Sequence, residues 1–280
     1  MIVKVKVKDD KIIIRMNYRK VSMKIIQNNL PQQWQGVLRM DYESSIDGFK
    51  DWALVRPSSQ DNDTWIVMIH GHGSHGDQLY TRADIKDNWL PIFLQHNFGI
   101  LSPNLRDNAW MGPKAADDLH DLIAYVRAKY NAKHLIFASG SMGGTSNLIY
   151  ASLHPEDVSA VVALGAASDL TRYFEWCRTI NTGVIKEIAD AIESAYSGSP
   201  KKRPEIYKKH SALENSAKLT MPIYLSHGGN DQTIPVDESR RLADKLSFNA
   251  AFFYHEIPGG NHDSPLWLMA EGIKRIIEKL

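Results

Sequence analysis

Cysteine is nearly missing from this chain: 280 residues contain one, Cys177. A lone thiol closes no internal disulfide and builds no thiolate metal cluster, and with Glu175 and Trp176 beside it Cys177 reads as a buried, inert side chain. Net charge is nearly missing too, with 33 Lys and Arg against 32 Asp and Glu, interspersed throughout. That balance leaves no electrostatic footprint for a nucleic-acid partner or a membrane surface. The one local basic run, from Lys201-Lys202-Arg203 to Lys208-Lys209, is broken by Pro204 and Tyr207 and reads as a solvated loop and helix face. Long apolar runs are absent as well, and none approaches the ~20 residues of a membrane-spanning helix. The first eight residues alternate valine with lysine, which is strand periodicity rather than the apolar core of a signal peptide. The expectation is a soluble, cytoplasmic chain. A leader removed before this numbering would leave no trace in it.

What is present is an alternation of strand-like and helix-like segments with no internal repeat. Residues 1–36 read as an N-terminal β extension: Val3, Val5 and Val7 share a face, Asp9-Asp10-Lys11 turns, and Ile12-Ile13-Ile14 returns. Residues 37–280 read as one α/β domain. It opens with a hairpin, 37–43 and 52–56, turned through Asp47-Gly48. Strands are expected at 65–69, 99–103, from His134 toward the Ser141 turn, 160–164, 223–226 and 252–257. Helices are expected between them, one starting at Pro113 and a last one capped by Ser264. Residues 168–216 interrupt the alternation with helical pieces and a Ser/Gly/Pro break, and read as a small helical cap. Parallel strands joined by right-handed crossovers bring their C-terminal ends to one edge, where ligands bind.

The sharpest local signal is Ser139-Gly140-Ser141-Met142-Gly143-Gly144, where an apolar strand runs directly into a helix. A serine on such a turn is held in a strained backbone with its hydroxyl above the sheet, and only small residues fit two places to either side. Ser141 has Ser139 and Gly143 at those places; Ser139 itself would have Phe137. Ser141 is therefore the candidate nucleophile, with Ser139 standing where the usual pattern has glycine.

A serine hydroxyl needs a base, a group that orients the base, and donors for the developing oxyanion. His262, in a glycine-rich loop after the last strand, is the candidate base. Asp231, after the 223–226 strand, completes the order Ser, Asp, His; Asp263 is a weaker alternative, and Asp237 should point away. His255 lies within a strand and reads as structural. The Met142 N–H is one oxyanion donor, and the N–H of His72 or Gly73 is the second.

Two other readings compete for the loop after the 65–69 strand. Gly71-x-Gly73-x-x-Gly76 matches the dinucleotide-binding glycine pattern, but the next strand ends in Pro103-Asn104-Leu105-Arg106 rather than in a ribose-binding acid. His70, His72 and His75 match no common zinc spacing, so no metal and no cofactor is expected.

These motifs, with Ser44-Ser45-Ile46-Asp47-Gly48, His70-Gly71-His72-Gly73, the stretch from His227 to Pro235, and Gly259-Gly260-Asn261-His262, resemble the α/β-hydrolase superfamily. Within it they are similar to the prolyl-oligopeptidase-like and dienelactone-hydrolase-like branches. The resemblance implies a mostly parallel, doubly wound sheet with helices on both faces and the same triad, Ser141, Asp231 and His262. The large N-terminal propeller of the peptidase branch is absent, so the site should open to solvent or to the cap. The expected activity is cleavage of a small-molecule carboxylic ester through an acyl-enzyme, on an aromatic or carbohydrate-linked ester if Trp110, Tyr173 and Trp176 line the pocket rather than pack as core. A peptidase on short peptides is the runner-up, with Glu175 as the one candidate to hold a free amine. A catalytically dead binding protein on the same scaffold is disfavoured by intact residues at all three triad positions. A homo-oligomer through the first strand is an open alternative to a charge-blunted edge.

Overall fold

The structure, a computed structural model, describes residues 3–8, 11–16, 23–59 and 62–280, the first two stretches as backbone only. β1 (Val3–Lys8) and β2 (Lys11–Met16) pair antiparallel, as the alternation predicts, while the turn residues Asp9 and Asp10 lie outside the described residues. β3 (Lys24–Pro31), β4 (Leu38–Glu43) and β5 (Lys50–Arg56) follow as an antiparallel meander. The β4–β5 turn closes through Ser44 N–H to the Phe49 carbonyl at 2.8 Å and Gly48 N–H to the Ser44 carbonyl at 3.0 Å. Gly48 adopts φ 70°, which explains the glycine after Asp47.

The chain then winds as β6 (Thr64–Val67), α1 (Gln78–Thr81), α2 (Ala83–Gln95), β7 (Gly99–Pro103) and α3 (Pro113–Tyr130). Next come β8 (His134–Gly140), α4 (Met142–Leu153) and β9 (Ala160–Leu164). Three helices intervene, α5 (Leu170–Ile180), α6 (Gly183–Ala195) and α7 (Pro204–Lys209). β10 (Ile223–Gly228), α8 (Asp237–Leu246), β11 (Phe252–Ile257) and α9 (Met269–Ile277) complete the chain. The nine-stranded sheet runs β11-β10-β9-β8-β6-β7-β5-β4-β3, parallel from β11 through β7 and antiparallel beyond.

The central strands read as near-continuous apolar runs because both faces are covered. On β8, Leu135 and Phe137 pack into one apolar layer with Leu119, Leu122 and Ile149, while Ile136 and Ala138 pack into the other with Trp89 and Ile273. α4 is buried along nearly its whole length, from Met142 to Ser152. It is therefore buried on all sides rather than striped.

Two boundaries differ from the expectation. A division at residue 36 leaves β3 in the N-terminal part, yet β3 is hydrogen-bonded to β4 as the outer strand of the main sheet. Its polar sequence, KIIQNNLP, carries little apolar alternation because it is an edge strand, exposed along most of its length. Ser264 opens a 3-10 turn, Ser264–Leu268, and α9 begins only at Met269. Asp118 of α3 is buried and accepts from Arg106 Nε at 2.6 Å and from the Ser44 hydroxyl. That contact ties the Ser44–Asp47 turn to α3.

Candidate active site

Ser141 lies between β8 and α4 with φ 56° and ψ −125°. Such a backbone costs a non-glycine residue about 1–3 kcal/mol and persists only where its surroundings over-determine it. Here the Ser141 N–H donates to the Leu164 carbonyl at 2.8 Å, and its carbonyl accepts from the Thr145 N–H at 2.9 Å. Gly143 is required by close approach, since a Cβ there would run into the carbonyl oxygen of Ile69. Ser139, in the place of the usual glycine, does more than fit. Its Oγ accepts the Ile69 N–H at 2.9 Å, tying the turn to the end of β6. With the Asn147 amide oriented so that both its ends are satisfied, its oxygen accepts from the Ser139 N–H and hydroxyl at 3.2 Å.

The three distant segments converge above this turn. His262 Nε2 lies 2.9 Å from Ser141 Oγ, and His262 Nδ1 lies 2.7 Å from Asp231 Oδ2. Asp231 is buried, and its Oδ1 accepts from the N–H groups of Thr233 at 2.7 Å and Ile234 at 2.9 Å. Burial alone would raise its pKa, but hydrogen bonds from His227 and His262 outweigh burial and hold the carboxyl well below the usual range. The alternatives fall away. Asp263 faces Arg82 at 3.3 Å, Asp237 faces Arg240 at 3.3 Å at the surface, and His255 lies 3.5 Å from the Tyr224 hydroxyl.

Among the described residues the Met142 and His72 amide N–H groups have no hydrogen-bond partner. The Gly73 N–H does not share that freedom: it donates to Asn108 Oδ1 at 2.8 Å, which removes Gly73 as an oxyanion donor. Gly71 and Gly76 likewise donate to Gln78 Oε1 and Asn104 Oδ1, so this glycine loop spends its amides on its own chain rather than cradling a phosphate. The three histidines of the loop take separate partners: His70 two backbone carbonyls, His72 the indole of Trp110, and His75 the Asp107 carboxylate. The one His/Asp group among the described residues that could hold a metal is elsewhere, at His120, His154 and Asp157. Its carboxylate already accepts from His120, Tyr150 and Arg127.

Ser141 and His262 open into a cavity of about 220 Å³. Ile85 and Trp89 of α2, Leu266 beyond β11, and Val184 and Ile188 of α6 supply its apolar wall. Gln78, Arg82 and Thr233 supply polar atoms. The four residues expected to contact substrate do not line it. Trp110 and Tyr173 are buried core, their rings 5.5 Å apart and Tyr173 donating to the Thr233 carbonyl at 2.9 Å. Trp176 stacks on Tyr173, and Glu175 is on the exposed side of α5. An amphipathic helix turns only one stripe inward, and on α5 that stripe feeds the core. The lining comes instead from α6, where Val184 and Ile188 are four residues apart. That spacing was visible in the sequence; the direction the stripe faces was not.

The profile of the BD-FAE family matches residues 54–246, well over half of the chain. The chain belongs to the BD-FAE family. This family is esterase-like and falls within the α/β-hydrolases, and the chain is a hydrolase. Among similar proteins, the uncharacterized peptidase YtmA of Bacillus subtilis (strain 168) is 26% identical over 188 residues, covering 62% of this chain and 70% of YtmA. Monoacylglycerol lipase abhd6-A of Xenopus laevis is 23% identical over 142 residues, and the match spans only 39% of that protein. Among solved structures, the fluorophosphonate-binding serine hydrolase FphF of Staphylococcus aureus is 18% identical with TM-score 0.64, covering 87% of this chain and 97% of FphF. Est1E of Butyrivibrio proteoclasticus is also 18% identical, with TM-score 0.62, covering 86% of this chain and 98% of Est1E. At such identities these likenesses establish the fold of this BD-FAE member, which is the α/β-hydrolase fold. Outside the triad geometry, the buried thiol also agrees with its reading: Cys177 is fully buried, and burial pushes it up to about 12.

Proposed function

We propose that this BD-FAE hydrolase cleaves carboxylic esters of small molecules through an acyl-enzyme, with Ser141 as nucleophile, His262 as base and Asp231 as its orienting carboxylate. The observation that carries the reading is the unbroken relay of 2.9 Å and 2.7 Å from hydroxyl to imidazole to carboxylate, opening on a cavity. Ser141 Oγ attacks the acyl carbon as His262 Nε2 takes its proton. The resulting oxyanion is received by the free N–H groups of Met142 and His72, at the N-terminus of α4, where the helix dipole adds positive potential. His262 then gives the proton to the leaving alcohol, and water repeats the sequence to release the acid.

The mixed wall supports an ester whose acyl part is apolar, set against Trp89, Ile85 and Leu266, with an oxygen-rich group toward Gln78 and Arg82. Est1E has been solved with ferulic acid bound, and an acetyl xylan esterase of Thermoanaerobacterium shares the fold with TM-score 0.61. Both support an aromatic or carbohydrate-linked ester. The likeness to YtmA favours a second reading, a peptidase on short peptides. Against it, Glu175 is off the cavity, and Asp263, the carboxylate that lines it, is engaged with Arg82.

A fluorophosphonate probe should label Ser141 in the folded protein, and S141A should abolish labelling. D231N should lower kcat by about 10⁴-fold, the loss expected when the imidazole takes the wrong tautomer. In a panel of acyl esters beside aminoacyl amides, esters should turn over faster. An unlabelled Ser141 would sink the triad, and faster amides would reverse the choice of substrate.

A further inference from the structure

We propose that His72 acts at the reaction centre through its side chain as well as its backbone, presenting Nε2–H to the substrate, with Trp110 as the positioning residue that fixes the ring. This rests on the triad reading above and adds a donor to it.

The argument begins with the indole. Trp110 is 1% exposed, so its N–H needs a partner, and that partner is His72 Nδ1 at 3.3 Å. An indole N–H only donates, so Nδ1 must be the accepting nitrogen and the proton of the neutral ring must sit on Nε2. Burial lowers the pKa of His72, which keeps the ring neutral. Among the described residues Nε2 has no partner, and His72 lines the cavity that holds Ser141 and His262.

The loop that delivers the indole is built with unusual strain. Leu105, Arg106, Asp107, Trp110 and Met111 all have φ between 45° and 60°. Bulky residues avoid that region, and such outliers persist only where other contacts compel them. The contacts are identifiable. Tyr196, at the end of α6, donates its hydroxyl to the Trp110 carbonyl at 3.1 Å, and His210 Nδ1 stands 3.0 Å from the Met111 carbonyl. From the same loop Asn108 holds the Gly73 N–H, so two side chains of one strained loop grip adjacent residues of the oxyanion loop. Packing alone would need neither the indole N–H nor a defined imidazole tautomer.

The test uses the full chain and two readouts. First, ¹⁵N NMR of the imidazoles should find His72 as the single Nε2–H tautomer in the free enzyme and as a mixture in W110F, which keeps an aromatic ring beside Tyr173 but loses the donor. An Nδ1–H tautomer in the wild type would overturn the proposal. Second, H72A keeps the backbone N–H, so its loss reports the side chain alone. With a p-nitrophenyl acyl ester its kcat should fall roughly 10- to 100-fold with a smaller change in KM, in line with removal of one preorganised donor. H72Q, which restores an N–H at about the Nε2 position, should recover part of that loss, and W110F should fall between. Wild-type kcat in H72A, or no recovery in H72Q when both melt normally, would refute the role; should H72A not fold, W110F and H72Q decide it. Labelling of wild-type Ser141 by a fluorophosphonate separates this outcome from failure of the triad itself.

Discussion

His227 Nε2 stands 3.2 Å from Asp231 Oδ2, the same carboxylate oxygen that lies 2.7 Å from His262 Nδ1. The carboxylate thus faces two imidazoles, one opening to the cavity and one fully buried. The buried ring has its proton on Nε2, because Nε2 also meets the Ile234 carbonyl at 2.8 Å, while Nδ1 accepts from the Ser239 hydroxyl at 2.7 Å. His227 therefore braces the acid from behind and helps keep it ionised.

Replacing that brace should weaken catalysis without touching the substrate. In H227F the Asp231 carboxyl loses the largest of the hydrogen bonds that oppose burial, so its pKa rises. The sign follows: a carboxyl held below its ordinary value supplies stability above that value and loses it as pH falls through the folded pKa. Raising the folded pKa reduces the stability that Asp231 adds at neutral pH, and a carboxylate held less firmly orients His262 less well, so kcat/KM at neutral pH should fall by up to about 100-fold. Stability should drop by about 1–3 kcal/mol, since Ser239 and the Ile234 carbonyl lose a buried partner. Unchanged kcat/KM in a folded H227F would count against the bracing role.

Restoring the glycine of the usual elbow should hurt rather than help. S139G removes the acceptor of the Ile69 N–H and leaves that buried donor unsatisfied, a loss of about 1–3 kcal/mol read from urea denaturation. The released β6 end also carries the loop with the His72 amide, so kcat should fall with it. G143A should do worse and fail to fold, because the added methyl meets backbone rather than a movable side chain. A more stable S139G would show that the hydroxyl contact contributes nothing.

His210 makes the folded chain acid-sensitive. Burial pushes its pKa down to about 4, against an ordinary imidazole value of about 6.5. Between those values the unfolded chain binds a proton that the folded chain does not, so stability falls as pH drops from about 6.5 to about 4. The shift corresponds to a loss on the order of 3 kcal/mol across that window. H210N should lower stability at neutral pH by losing the Met111 contact and flatten this slope; denaturant midpoints at several pH values measure both. An unchanged slope would mean that other groups dominate acid unfolding.

Much of the site was legible because backbone chemistry is local. A strained turn admits only small residues around its serine, so Ser141 could be found from its neighbours. The donors of a glycine-rich loop and the order Ser, Asp, His then pointed to Asp231 and His262. Strand and helix positions were readable for a similar reason, since strands buried on both faces are mostly apolar. Ser139 was the informative exception: in sequence it was only a departure from pattern, and its 2.9 Å bond to the Ile69 N–H revealed a tie.

Alone, the order of residues determined the architecture and pointed to the three side chains that meet above the β8–α4 turn, because each depends on local conformation and on a chain direction that parallel strands enforce. Tertiary structure decided which side chains face the cavity. Trp110 and Tyr173 could have lined it or filled the core, and packing put them in the core while α6 turned Val184 and Ile188 inward. It also decided between His72 and Gly73, since which amide stays free depends on Asn108, a residue 35 positions along the chain from Gly73. Hydrogen-bond competition across such separations leaves no periodicity to read.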